Sequence, residues 1–183
     1  MGKLKEYNIA FSGLKTGFHH FELSAGKSFF KEYKALAIEE GDLEIVLELE
    51  KQERMLIFAI DIRGSVDLIC DRCLETYQQP VDIHKTLYVK LQNGIEHLIE
   101  ESEDVLLLPD TESDFDISHY IYEFISLAIP MKKTHGFNQA GESLCNQEMI
   151  DLLEKKKQNA KGNKENKETD PRWDALKKLR NQN

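Results

Sequence analysis

The chain has 183 residues, of which 40% are hydrophobic, and carries a formal net charge of -9 at pH 7. This is enough apolar sequence for one sizeable core, or for a core with a small appendage, but hardly for two full domains. No apolar run reaches the roughly 20 residues that a membrane-spanning helix needs, and the first residues lack the apolar block of a signal peptide. We therefore expect a soluble cytoplasmic protein.

The charge is divided unevenly along the chain. From Lys155 to Arg180 there are ten Lys and Arg residues and four Asp and Glu residues, a net charge of +6 that leaves -15 for the remainder. Eight acidic residues fall between Glu100 and Asp116. A basic tail on an acidic body suggests a contact with phosphate or with an acidic partner surface. The alternative is a solvated tail without a partner.

Apolar and polar residues alternate with period two in much of the first half, as in half-buried strands. Such alternation covers residues 7–12, 43–49, 56–70 and 81–91. The second and third of these runs predict a hairpin, with Gly64 as a bend or bulge. Antiparallel pairing through short connections is the simplest topology and favours an α+β fold with a mainly antiparallel sheet. A sheet that curls into a partial barrel remains an open alternative. His19 and His20 also fall in a predicted strand, where ordinary structural roles outweigh a catalytic one.

Three helices are predicted in the body from the spacing of apolar residues. The segment GKSFFKEYKALA places Phe29, Phe30 and Tyr33 near one face. A second helix is predicted over 118–128, with Asp116 or Ser118 as its N-cap and Pro130 after its end, and a third over about 146–156. The acidic segment 100–113, which precedes the second helix, is predicted to be a long loop.

Near residue 157 the composition changes. The stretch KKKQNAKGNKENKET contains one apolar residue in fifteen, so burial cannot offset the entropy of ordering it, and we expect a flexible linker. In DPRWDALKKLR, Asp170 suits an N-cap and Pro171 the first helical position. The predicted organisation is a mixed α+β body over 1–156, a basic linker over 157–169 and a short amphipathic helix over 170–181.

A helix of this length is marginal in water unless it docks on something. Two alternatives stay open: the helix folds back on the body, or it is a tethered recognition helix with Trp173 on its apolar side. The candidate residues for binding RNA or a protein partner are the basic and apolar residues of this region: Lys155, Lys156, Lys157, Lys161, Lys164, Arg172, Trp173, Leu176, Lys177, Lys178, Leu179 and Arg180.

The cysteines allow three interpretations. Cys70 and Cys73, in CDRCLETYQQ, lie across a predicted turn, where two thiolates can bind one ion. Zinc needs four ligands, and His135 with Cys145 would complete a Cys3His set, although their spacing is irregular for a zinc knuckle. The alternatives are packing cysteines and a redox pair, and a strand after Cys73 argues against the latter. No catalytic triad or phosphate-binding loop is evident in the sequence.

Four segments in a fixed order carry a resemblance to a known family. They are CDRCL at 70–74, YIYEFISLAIP before Pro130, HGFNQAGESLC after it, and DPRWDALKKL near the C-terminus. This series resembles the YceD family of large ribosomal RNA subunit accumulation proteins over roughly residues 43–180. The ordered series is far more specific than any one of the motifs.

The resemblance implies a bacterial cytoplasmic factor, not an enzyme, that supports the accumulation of large-subunit ribosomal RNA. Many family members carry a second Cys pair that would hold a metal with the first. This chain has His135 and Cys145 in that segment instead, so the resemblance leaves a zinc site open. The expected partners are precursor RNA of the large subunit, a large-subunit ribosomal protein, or both. The alternative is a cytoplasmic thiol redox or zinc-dependent protein centred on the turn that contains Cys70 and Cys73.

Overall fold

A computed structural model describes residues 4–33, 38, 40–92 and 105–162, with side chains up to residue 157. The chain divides into two compact units, 1–135 and 136–183. Because 163–183 lie outside the described residues, the rest of the linker predicted over 157–169 and the helix over 170–181 remain predictions. Among the described residues, no helix is both long and apolar enough to cross a membrane.

The first unit contains all the strands described in the chain. Their bounds are β1 Asn8–Ile9, β2 Gly17–Ala25, β3 Gly41–Lys51, β4 Met55–Ile69, β5 Thr76–Gln92, β6 Val105–Pro109 and β7 Phe115–Asp116. One five-stranded sheet has the order β2-β3-β4-β5-β6, and β1 pairs with β7 in a separate antiparallel ribbon. The described strands form no closed barrel. The predicted α+β class with a mainly antiparallel sheet is confirmed.

Two helices belong to this unit, α1 Lys27–Glu32 and α2 Ser118–Ala128. The span predicted for α2 is confirmed. Its N-cap is Ile117 and not Asp116 or Ser118 as predicted, but Asp116 Oδ1 accepts hydrogen bonds from the backbone N–H of Ser118 at 2.9 Å and from its hydroxyl at 2.6 Å. The predicted strand over 7–12 is shorter than expected, because a 3-10 turn, Lys5–Tyr7, precedes the two residues of β1.

The core lies on one face of the sheet. The inward residues of β3, β4 and β5 alternate with outward ones and are buried against α1, α2 and the N-terminal residues. Phe29 of α1 contacts Tyr7 with ring centroids 5.0 Å apart, and Phe58 stacks on Phe115 at 5.2 Å. The hydroxyl of Tyr33 donates to Ser118 Oγ at 2.8 Å. The period-two pattern fits a sheet that the described residues cover on this face only.

Two sequence predictions for the first unit are corrected. The acidic segment predicted as a loop contains β6, which pairs in parallel with β5, because its run VLLL offers a short apolar strand among the acidic residues. The pairing of β3 with β4 continues one to one through Gly64, so no residue bulges there. Gly64 instead has a φ of +142°, which lets the two backbones approach closely.

The second unit begins with a tight reversal at 136–144. Phe137 and Ser143 form an isolated antiparallel bridge, and the side-chain oxygen of Asn138 accepts hydrogen bonds from the backbone N–H groups of Ala140 and Glu142. Helix α3, Gln147–Gly162, follows. It ends later than the predicted residue 156 and includes the first residues of the predicted linker, where Lys, Gln and Ala favour helix.

Candidate metal centre

Cys70 and Cys73 lie at the turn that joins the two longest strands. Cys70 directly follows β4, and Cys73 stands three residues before the start of β5. The backbone N–H of Leu74 donates to the carbonyl of Cys70 at 2.9 Å, and that of Cys70 donates to the carbonyl of Glu75 at 2.9 Å. Leu74 has a φ of +63°, in the left-handed region. This reversal brings the two sulfurs to one side of the turn, both buried.

His135 is brought to the turn by a reciprocal pair of hydrogen bonds. The backbone N–H of Asp71 donates to the carbonyl of Lys133 at 2.7 Å, and the N–H of Lys133 donates to Asp71 Oδ2 at 2.8 Å. His135 Nδ1 then lies 3.3 Å from Cys73 Sγ, and its ring is 5.1 Å from that of Tyr77. The sequence identified His135 as a candidate ligand. It could not predict the hydrogen bonds between Asp71 and Lys133, because no local pattern relates two positions so far apart in the chain.

The three ligand atoms of this cluster fit one tetrahedral ion. The two sulfurs and a ring nitrogen of His135 lie within 4.8 Å of one another. Zn–S and Zn–N bonds of about 2.0 to 2.3 Å require ligand atoms roughly 3.3 to 3.8 Å apart, so only small adjustments are needed. Two thiolates and an imidazole are also the donor types that zinc prefers. The first unit thus brings together three side chains that lie close enough to hold one metal ion.

Cys70 is in a thiolate-stabilising environment. Burial alone would raise the pKa of its thiol, but the backbone N–H groups of Cys73, Arg72 and His135 and the His135 side chain outweigh burial and lower the pKa to about 6. The N–H of Arg72 lies 3.4 Å from the sulfur. A thiol that is already ionised at neutral pH binds a metal without first losing a proton.

We expect Cys70 in metal-free protein to titrate as an acidic thiol. The ultraviolet absorbance of the thiolate should rise with a midpoint close to pH 6, and Cys70→Ala should remove that component. The unfolded chain keeps the proton up to about pH 8.5, so stability from this group is full above that pH and is lost as pH falls towards 6. A titration that Cys70→Ala leaves unchanged would contradict this prediction.

Cys145 belongs to the second unit. It stands between the 136–144 reversal and α3, and its backbone N–H donates to Ser143 Oγ at 3.3 Å. The next residue, Asn146, caps the helix, since its side-chain oxygen accepts from the backbone N–H of Met149 at 3.2 Å. Cys145 is therefore held directly before a capped helix N-terminus, the position that the sequence predicted.

Few of the residues predicted to bind a partner fall within the described side chains. Lys155, Lys156 and Lys157 are exposed on α3. Lys161 lies on the last turn of α3, with its side chain outside the described set. The remaining candidates lie outside the described residues: Lys164, Arg172, Trp173, Leu176, Lys177, Lys178, Leu179 and Arg180.

Fold and site together define an α+β protein with soft metal ligands at the end of a long hairpin. A family model described as "Large ribosomal RNA subunit accumulation protein YceD" matches residues 58–180, well over half of the chain. The chain therefore belongs to the YceD family, which confirms the resemblance found in the sequence. This description places the family in large-subunit ribosomal RNA accumulation and names no reaction. We found no match among curated proteins and none among solved structures.

Proposed function

We propose that this protein is a cytoplasmic, non-enzymatic ribosome-biogenesis factor. In this proposal it supports accumulation of large-subunit ribosomal RNA by binding the precursor RNA, a large-subunit ribosomal protein, or both. The observation that carries the proposal is the family match over residues 58–180. The division of charge supports a binding role, since a basic tail can contact phosphate and an acidic body can contact a basic protein.

For the tail, the proposal assigns the contact with RNA to the basic residues from Lys155 onward. Lys155, Lys156 and Lys157 stand exposed in consecutive positions on α3. Such lysines would contribute a contact with phosphate that weakens as salt rises. Trp173, farther along the sequence, would stack on a base or anchor on a protein.

For the cysteine turn, the proposal is a structural zinc site formed by Cys70, Cys73, His135 and Cys145. The first three converge in the first unit, and Cys145 is the one remaining cysteine of the chain, ten residues after His135 in the sequence. When bound, zinc would supply a cross-link between these segments. With four protein ligands no open position would be left for a substrate, so the site would be structural.

The acidic Cys70 thiol favours a second candidate function, thiol redox chemistry. A lowered pKa is typical of reactive cysteines, but reactive cysteines are also accessible. Cys70 is 0% exposed and Cys73 only 3%. Alkylation of native protein at neutral pH discriminates the two functions: a redox pair should react within minutes, and a structural site should stay protected until the protein unfolds or loses its metal.

Association with large-subunit precursors tests the proposed function. We expect crosslinking and recovery of the full chain from cells to yield large-subunit ribosomal RNA or proteins. Removal of 163–183, which leaves α3 intact, should reduce RNA recovery by about tenfold or more, because most of the candidate contacts are lost. A chain with Glu32→Gln and Glu112→Gln, two exposed residues of the first unit, serves as the control and should behave as the wild type.

Two results would count against this proposal. Unchanged recovery after removal of 163–183 would exclude the tail from the mechanism. Failure to recover large-subunit material with the full chain would exclude the proposed function itself.

A further inference from the structure

The second face of the five-stranded sheet is not covered by any described element. We call the outward-facing residues of β2, β3, β4 and β5 the outer sheet face. Eight of them are Asp or Glu and two are Lys or Arg, which gives this one surface a net charge of -6. The opposite face of the same strands forms the core, so the outer sheet face is held in a fixed geometry by a rigid layer beneath it.

A row of three apolar residues and one glutamate crosses the outer sheet face at one end. Phe18 of β2 is opposite Glu50 of β3, Glu50 is opposite Ile57 of β4, and Ile57 is opposite Tyr88 of β5. Phe18 is 69% exposed and Tyr88 is 40% exposed. Four strands about 4.8 Å apart make this row roughly 14 Å long. The row therefore places Phe18 directly beside Glu50, and Ile57 stands between Glu50 and Tyr88.

The carboxylates nearest this row are not neutralised within the described part of the chain. Glu48, in the next row, and Glu50 form no ion pair there, and Glu50 accepts a hydrogen bond from the neutral Gln52 at 2.8 Å. Of the two cations on the face, Arg63 lies farther along β4 and pairs with Asp82 at 3.4 Å. The other cation, Lys90, stands on β5, two strands away from the glutamates of β3. The negative charge at this row is therefore available to a partner.

We propose that the outer sheet face binds a lysine- and arginine-rich polypeptide segment. Its cations would pair with Glu48 and Glu50, while their aliphatic stems and guanidinium groups would pack on Phe18 and Tyr88. The face suits neither nucleic acid, whose phosphates it repels, nor a second copy of itself, which carries the same charge. The inference rests on the proposed function for the partner's identity, since a basic large-subunit ribosomal protein would present such a segment.

Peptide binding to the full chain tests the inference directly. A fluorescent Lys- and Arg-rich peptide of about 15 residues is titrated against wild type, E48Q/E50Q and the control E32Q/E112Q, with anisotropy as the readout. We expect E48Q/E50Q to weaken binding about tenfold or more and the control to change it less than about twofold. Phe18→Ser should also weaken binding, and more salt should weaken it in the wild type. All four glutamates lie at the surface of the described structure and tolerate glutamine, which keeps the shape of the side chain.

Several outcomes would overturn the inference. The first is that wild type and E48Q/E50Q bind the peptide equally well. The second is that the protein binds an RNA oligonucleotide more tightly than the peptide. The third is that the wild type is a dimer which the two substitutions dissociate. A shift in the fluorescence of Trp173, the single tryptophan, on E48Q/E50Q substitution without peptide would assign the face to the chain's own C-terminal segment.

The inference and the proposed function fail in different ways. If the full chain is recovered with large-subunit material from cells but the peptide does not bind, the inference is wrong and the proposed function stands. If the peptide binds through the outer sheet face but nothing from the large subunit is recovered, the proposed function is wrong and the face has another basic partner.

Discussion

Gly64→Ala is expected to destabilise the protein by roughly 3 to 5 kcal/mol, enough to unfold much of the population of a marginally stable domain. Two causes add. A Cβ at this position would lie 2.1 Å from the carbonyl oxygen of Asp42 and 3.0 Å from Cα of Leu43, both backbone atoms of β3 that cannot move aside alone. The φ of +142° is also a conformation that only glycine adopts at low cost.

The measurement is chemical denaturation of wild type, Gly64→Ala and the control Gly13→Ala, followed by circular dichroism. A Cβ on Gly13 would meet no atom within 4 Å, and Gly13 has no positive φ, so its replacement should cost less than about 1 kcal/mol. If Gly64→Ala unfolded at the same denaturant concentration as Gly13→Ala, the close approach of β3 and β4 at this point would be wrong.

The strands were predictable from the sequence because the described elements bury one face of the sheet and leave the other outward. Every second residue of β3 from Leu43 to Leu49 is buried, and Glu44 and Glu48 between them face outward. The hairpin predicted from the runs 43–49 and 56–70 is the pair β3 and β4, in which a one-residue slip would move every apolar side chain into water. The acidic outer sheet face is the direct consequence of that pattern.

Other features depend on contacts between distant segments and could not be predicted. The parallel pairing of β6 with β5 gives no local signal, because five residues with intermediate burial show no alternation. The approach of His135 to Cys73 depends on the hydrogen bonds between Asp71 and Lys133, which are 62 residues apart in the sequence. The sequence could name the ligand types, and the fold was needed to show which of them converge.

Cys73→Ser is expected to abolish stoichiometric zinc binding in protein purified without chelators. A structural site contributes roughly 10 to 16 kcal/mol over four ligands, so exchanging one thiolate for a hydroxyl should weaken zinc binding by about a hundredfold or more. His135→Ala should have a similar effect, because its Nδ1 lies 3.3 Å from Cys73 Sγ. Tyr77→Phe is the matched control, since it keeps the ring beside His135 and removes only the hydroxyl.

Zinc content by mass spectrometry and thermal unfolding with and without chelator decide the outcome together. Wild type and Tyr77→Phe should each hold one zinc per chain and lose thermal stability on chelation, whereas Cys73→Ser should hold none and should not respond to chelator. Cys145→Ser tests the fourth ligand: a loss equal to that of Cys73→Ser would support Cys145, and full retention would exclude it. Metal-free wild type with unchanged unfolding on chelation would instead make these cysteines packing residues, and the low pKa of Cys70 would then reflect only the backbone N–H groups and His135 around its sulfur.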